Sequence, residues 1–158
     1  MSGNDLQDLS FLVVDDDKNF LNAMELQLRS LGARRLTCAQ TGSEALSRLA
    51  NAREPFDVML CDFDMPHGNG LQLLKALRSG RIMTVRSDMC FIIVSGFSQP
   101  ALVRTAGALN ASGYLVKPLD RQRLRAAIHK GRAKNFAVKP AVYDAIVVPE
   151  SAQGLLPA

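Results

Sequence analysis

The chain has 158 residues, 47% of them hydrophobic and 22% charged, which suits one globular domain with a single core. No apolar run approaches the ~20 residues needed to cross a bilayer, and Met1 to Asp8 lack the basic and apolar regions of a secretory signal, so no membrane role and a cytoplasmic address are expected. The net charge of +4 is uneven: residues 121–139 hold seven Lys or Arg and no acid, which leaves the rest of the chain net acidic and confines the basic character to one surface.

The elements follow in a regular order. Phe11 to Val14 is an apolar run that stops at Asp15-Asp16-Asp17, as expected of a strand buried on both faces. Phe20, Met24, Leu28 and Leu31 recur at helical spacing up to Gly32. Arg35 to Ala39 reads as a second strand, and Thr41-Gly-Ser-Glu44 as a capping box that starts a helix with Ala45, Leu46 and Leu49 as its apolar stripe. Phe56 to Cys61 is the third strand, ending at Asp62 and Asp64, and Met65 to Gly70 is a loop by composition. Leu71, Leu74 and Leu77 form the next helical face, ended by Gly80. Cys90 to Val94 is the most apolar strand and ends at Ser95-Gly96. Ser98 is expected to cap a helix with Pro100 in its first turn and Leu102, Val103, Ala106 and Leu109 facing inward. Tyr114 to Val116 is a fifth strand, stopped at Lys117-Pro118, and Asp120 caps a last helix with Leu124, Ala127 and Ile128 on its apolar side.

Five βα units imply parallel strands joined by right-handed crossovers, hence a three-layer α/β fold. Residues 9–134 are expected to form the domain. Residues 135–158 form a tail too short for a second one, although its run from Ala141 to Val148 is apolar enough to pack on the domain or on a partner. Cys38, Cys61 and Cys90 are odd in number and lack CxxC spacing, so they read as small buried hydrophobes, not a disulfide or zinc framework.

The chemistry sits at strand ends. Asp15 and Asp16 follow the first strand, Asp62 the third, Ser95 the fourth and Lys117 the fifth. In open α/β sheets this carboxyl edge binds ligands where the strand order reverses, and an order 2-1-3-4-5 would bring the three carboxylates into one crevice. Such a cluster calls for a hard divalent cation, and Mg²⁺ prefers oxygen ligands. Lys117 would supply a point charge and Ser95 a hydrogen bond to a phosphoryl group, while Asp carboxylates serve as nucleophiles that form aspartyl-phosphates.

Four fragments in this order, FLVVDDD at 11–17, MLCDFDMP at 59–66, IIVSG at 92–96 and GYLVKP at 113–118, resemble the receiver domain of two-component response regulators. The resemblance spans Leu12 to about Arg132 and implies a doubly wound, flavodoxin-like sheet of five parallel strands. It implies that Asp62 is the phosphoacceptor. Asp15, Asp16, Asp62 and the backbone carbonyl of Asp64 would hold Mg²⁺. Lys117 and Ser95 would bind the phosphoryl group, Tyr114 would turn inward with Ser95, and Pro118 would follow a cis peptide bond. A histidine kinase or histidine phosphotransfer protein would donate the phosphate. Phosphorylation would switch a surface of the fourth helix, fifth strand and fifth helix for a downstream protein partner, with a homodimer as a further option.

Taken singly, Asp15, Asp16 or Asp62 could merely cap a helix, and Asp17 is read as a solvated first-turn residue. His67 and His129 lack ligand-spaced companions and read as surface residues. The basic block is either a solvated helix face or a docking patch for an acidic partner; no helix-turn-helix follows it, so no direct nucleic-acid role is expected. Asp62-Phe-Asp64 also has the DxD form of haloacid-dehalogenase-type phosphohydrolases, but there DxD lies on the first strand, whereas here the acid pair precedes it. A non-phosphorylated interaction module is the third option. The expectation is a stand-alone regulator and not a substrate-turning enzyme.

Overall fold

A computed structural model describes residues 6–65 and 69–150, so the reading of His67 as a surface residue lies outside the described residues. Eleven elements alternate: β1 (Ser10–Val14), α1 (Lys18–Ser30), β2 (Arg35–Ala39), α2 (Gly42–Asn51), β3 (Val58–Asp62), α3 (Gly70–Arg78), β4 (Cys90–Ser95), α4 (Pro100–Ala108), β5 (Gly113–Val116), α5 (Arg121–Ala133) and a short α6 (Pro140–Asp144). The five strands form one parallel sheet in the order β2-β1-β3-β4-β5. Among the described residues no helix is long and apolar enough to cross a membrane.

Strand periodicity divides the core into two layers. Leu12, Val14, Met59, Cys61, Phe91 and Ile93 face Leu49, Leu71, Leu74, Leu77 and Leu102 of α2, α3 and α4. Phe11, Val13, Val58, Leu60, Ile92 and Val94 face Leu21, Met24, Leu28, Leu124 and Ile128 of α1 and α5. Each buried Leu, Ile or Phe contributes about 1.5–3 kcal/mol relative to exposure, so the central strands anchor the sheet from both sides.

The helix termini follow local chemistry, with some departures from expectation. Asp17 is the N-cap of α1: its carboxylate accepts from the N–H groups of Asn19 (2.9 Å) and Phe20 (3.4 Å). Thr41 Oγ1 accepts from Glu44 N at 3.0 Å, but Glu44 reaches back to the N–H of Gln40, not to that of Thr41. Ser98 does not cap α4. Pro100 occupies the first turn, Gln99 takes the cap position, and no side chain bonds the helix start. A proline at the first helical position forces its predecessor into extended backbone, which places the boundary at residue 99. Leu46 and Val103 are exposed; the inward stripes run through Ala45 and Leu49, and through Leu102, Ala106 and Leu109. Strand β3 begins at Val58, two residues after Phe56; just before it the Asp57 N–H donates to Ser10 O at 2.8 Å, while the Ser10 N–H is taken by the Asp57 carboxylate at 2.8 Å and not by a backbone carbonyl. His129 is half-buried, and so is Cys38, whereas Cys61 and Cys90 are buried.

The chain after α5 folds back. Tyr143 of α6 is 1% exposed in the α2–α3–α4 layer, with Val138, Ile146 and Val148 packed against that layer. Arg78, at the end of α3, is fully buried. Its guanidinium donates to the carbonyls of Ser87 (2.7 Å), Met89 (2.7 Å) and Asn110 (2.8 Å) and stacks 4.9 Å from the Phe136 ring. Burial without a carboxylate partner pulls its pKa down to about 10, so the three carbonyls hold a cation at neutral pH.

Candidate functional site

The reversal of strand order between β1 and β3 opens a crevice at the carboxyl edge of the sheet. Register places its polar groups side by side. Val14 pairs with Cys61, so Asp15 and Asp62 emerge next to each other; Asp62 pairs with Val94, so Ser95 follows one residue later; Ser95 pairs with Val116, so Lys117 comes next. Carboxylate oxygens of Asp15, Asp16 and Asp62 all lie within 4.8 Å of one another. Asp15 and Asp62 are buried, and Asp16 is exposed.

The cluster is crowded with negative charge. Burial, reinforced by Asp15, pushes the Asp62 carboxyl up to about 7. Burial also raises Asp15, although Lys117 and the Asp17 N–H pull the other way. Lys117 Nζ lies 2.7 Å from Asp15 Oδ2 and 3.6 Å from Asp62 Oδ1, and sits 4.0 Å from the centroid of the Phe20 ring. One ammonium therefore faces the two buried carboxylates, with Asp16 beside them. A donor set of three carboxylates in this space, two of them buried, fits a small hard divalent cation.

Ser95 is fully buried and its Oγ accepts from the Phe97 N–H at 3.0 Å. The Tyr114 hydroxyl donates to the Phe97 carbonyl at 2.5 Å, with its ring packed against the core. Burial raises the Tyr114 pKa, so the phenol stays protonated at neutral pH. The Lys117–Pro118 peptide is cis. The Asp64 side chain is exposed, while its backbone N–H bonds the Asp62 carboxylate.

All the strand-end residues named from the sequence thus converge, apart from the Asp64 side chain, which points to solvent. Three contributors were not read from the sequence. Phe97 ties Ser95 and Tyr114 together through its backbone, which no side-chain pattern reveals. Gly70 abuts the Asp62 backbone: a Cβ there would lie 2.4 Å from the Asp62 carbonyl oxygen. Asn69 caps α3 in a complete capping box with Gln72, and this N-x-x-Q spacing was a usable signal.

The model of the response regulator receiver domain matches residues 11–129. The chain belongs to the response regulator receiver family. A protein of Rhizobium etli named "Probable chemotaxis protein CheY" is 28% identical over 76% of this chain and 89% of its own length. The transcriptional regulatory protein ZraR of Salmonella typhimurium is 30% identical over 79% of this chain but only 26% of its own length, so most of that longer protein has no counterpart here. Among solved structures, the chemotaxis protein CheY4 of Vibrio cholerae superposes with a TM-score of 0.68 at 26% identity, covering 77% of this chain and 97% of its own. The receiver family and its strand order set aside the phosphohydrolase alternative.

Proposed function

We propose that this receiver accepts a phosphoryl group on Asp62 from a phosphohistidine of a histidine kinase or phosphotransfer protein. The observation that carries the reading is the crevice in which Asp15, Asp16 and Asp62 crowd together beside Lys117. An Asp62 carboxylate oxygen attacks phosphorus, an O–P bond forms, and the P–N bond of the donor breaks as the imidazole leaves with a proton from solvent. Asp15, Asp16, Asp62 and the Asp64 backbone carbonyl would hold Mg²⁺, which when bound neutralises charge on the carboxylates and the transferring group. Lys117 lies within reach of both Asp15 and Asp62 and can follow the charge onto a phosphoryl oxygen. Ser95 Oγ has one backbone donor and can turn its own O–H to another oxygen, with Tyr114 filling the space behind it. Transfer and hydrolysis are then self-catalysed by these residues.

The receiver proper comprises residues 9–134, with 135–158 as an appended segment. The switched surface is α4, β5 and α5, its partner a downstream protein, and its setting the cytoplasm, with self-association as a second output.

Intact mass after incubation with Mg²⁺ and acetyl phosphate tests this. One added phosphoryl group, lost in Asp62→Asn and in metal-free buffer, is the expected result. A chain that gains no mass and releases no phosphate would be an interaction module instead.

A further inference from the structure

We infer that residues 136–150 form a strap whose last turn is released when Asp62 is phosphorylated, an inference that rests on the reading of Asp62 as phosphoacceptor. The strap runs antiparallel to α3 and is fastened at both ends. Its first part is held by the body of the domain: Phe136 stacks on buried Arg78, and the Tyr143 hydroxyl donates to Asn110 Oδ1 at 2.6 Å. Asp144 then meets Arg81 at 2.7 Å, past the C-terminus of α3, and Lys75 donates to the Ile146 carbonyl at 2.7 Å. The far part is held at the N-terminus of α3, where Asn69 Nδ2 donates to the carbonyls of Pro149 (2.7 Å) and Glu150 (3.1 Å).

Asn69 is in turn coupled to the phosphoacceptor through backbone. Its neighbour Gly70 leaves no room for even a Cβ against the Asp62 carbonyl, and the Gly70 N–H donates to Phe63 O at 2.9 Å. Packed backbone of this kind passes a displacement on instead of absorbing it. A phosphoryl group on Asp62 therefore shifts the start of α3. The fixed end of the strap does not follow, because Tyr143 is seated on Asn110, and Arg78 under Phe136, at the end of α3 away from the crevice, is itself tied to the carbonyls of Ser87, Met89 and Asn110. Hydrogen bonds at 2.7–3.1 Å tolerate a few tenths of an ångström, so a larger mismatch breaks the pair at Asn69. The strap then opens from its far end as far as Ile146, which Lys75 still holds, uncovering the apolar surface that Val148 covers.

The test uses the full chain, ¹⁵N-labelled, with Mg²⁺ and with or without excess acetyl phosphate, while intact mass records the adduct. Backbone order parameters of residues 147, 148 and 150 are expected to fall from a rigid value of about 0.85 to below about 0.6 on phosphorylation, while those of residues 141–144 and of Ile146, which Lys75 still holds, stay high. Asn69→Ser keeps a capping oxygen but loses the amide donor. It should show the low values before phosphorylation and no further fall after it. An adduct with unchanged values at 147, 148 and 150, or an Asn69→Ser chain that responds like the unaltered one, overturns the inference alone. A chain with no adduct overturns the phosphoacceptor reading and the inference with it.

Discussion

Replacing Asp62 by Asn should make the metal-free protein more stable, and by an amount that depends on pH. The fold holds this carboxyl out of water next to Asp15 and raises its pKa from 3.8 to about 7. The native state thus binds the Asp62 proton more tightly than the unfolded state, and native stability falls as pH rises from about 4 to about 7. At about 1.36 kcal/mol per pH unit, that displacement is worth about 4 kcal/mol above pH 7. An asparagine amide carries no charge to desolvate but returns about 1–2 kcal/mol if one of its polar groups lacks a partner. The expected net gain for Asp62→Asn is therefore about 2–3 kcal/mol at pH 8, shrinking to nothing or to a small loss at pH 4, where the native carboxyl is neutral. Urea unfolding followed by circular dichroism in chelator-treated buffer across this range measures it. A difference that stays flat with pH, or an unaltered chain that is the more stable at pH 8, would refute the electrostatic account of the crevice. Adding Mg²⁺ should narrow or reverse the gap, because the carboxylate then gains a ligand that asparagine binds poorly.

Three further outcomes follow from the packing. Arg78→Met strips the carbonyls of Ser87, Met89 and Asn110 of their donor, and a loss of at least about 3 kcal/mol is expected from the urea midpoint. Gly70→Ala forces backbone apart at Asp62 and should cost about 1–3 kcal/mol and slow phosphoryl uptake, whereas Gly42→Ala, with no atom within 4 Å, should be neutral or slightly stabilising. A native-state thiol titration should modify about one cysteine quickly, Cys38, because Cys61 and Cys90 are buried and burial raises both their thiol pKa values.

The fold was legible because four of the five strands are apolar runs too short for a helix and each of those runs into a polar residue, whereas β2 (Arg35–Ala39) is marked only by its place between two helices. FLVV before Asp15 and CFIIV before Ser95 mark both the element and its functional end. The acidic crevice was legible for the same reason, since parallel pairing brings strand ends together. What escaped was set by contacts distant in sequence. Nothing in the sequence marks Arg78 as buried; only the approach of Ser87, Met89 and Asn110 makes its burial tolerable. The apolar run 141–148 was visible, but its seat is set by residues distant in sequence: Asn110 under Tyr143, Lys75 on Ile146 and Asn69 on Pro149. The cap of α4 was misplaced because Ser98 has the right chemistry, while Pro100 dictates the geometry.

The alternation of strand side chains has a consequence for how the molecule tolerates change. The sheet works as a partition: residues that share a strand but differ by one position belong to separate compartments, one roofed by α1 and α5, the other by α2, α3, α4 and the strap. Substitutions on opposite sides, more than about 10 Å apart and away from Ser112, which touches both Gly131 of α5 and Arg78 of α3, should combine additively. The exposed basic side of α5 can therefore diversify to suit new partners with little effect on how the strap is seated, whereas its inner side at Gly131 reaches the strap through Ser112 and Arg78.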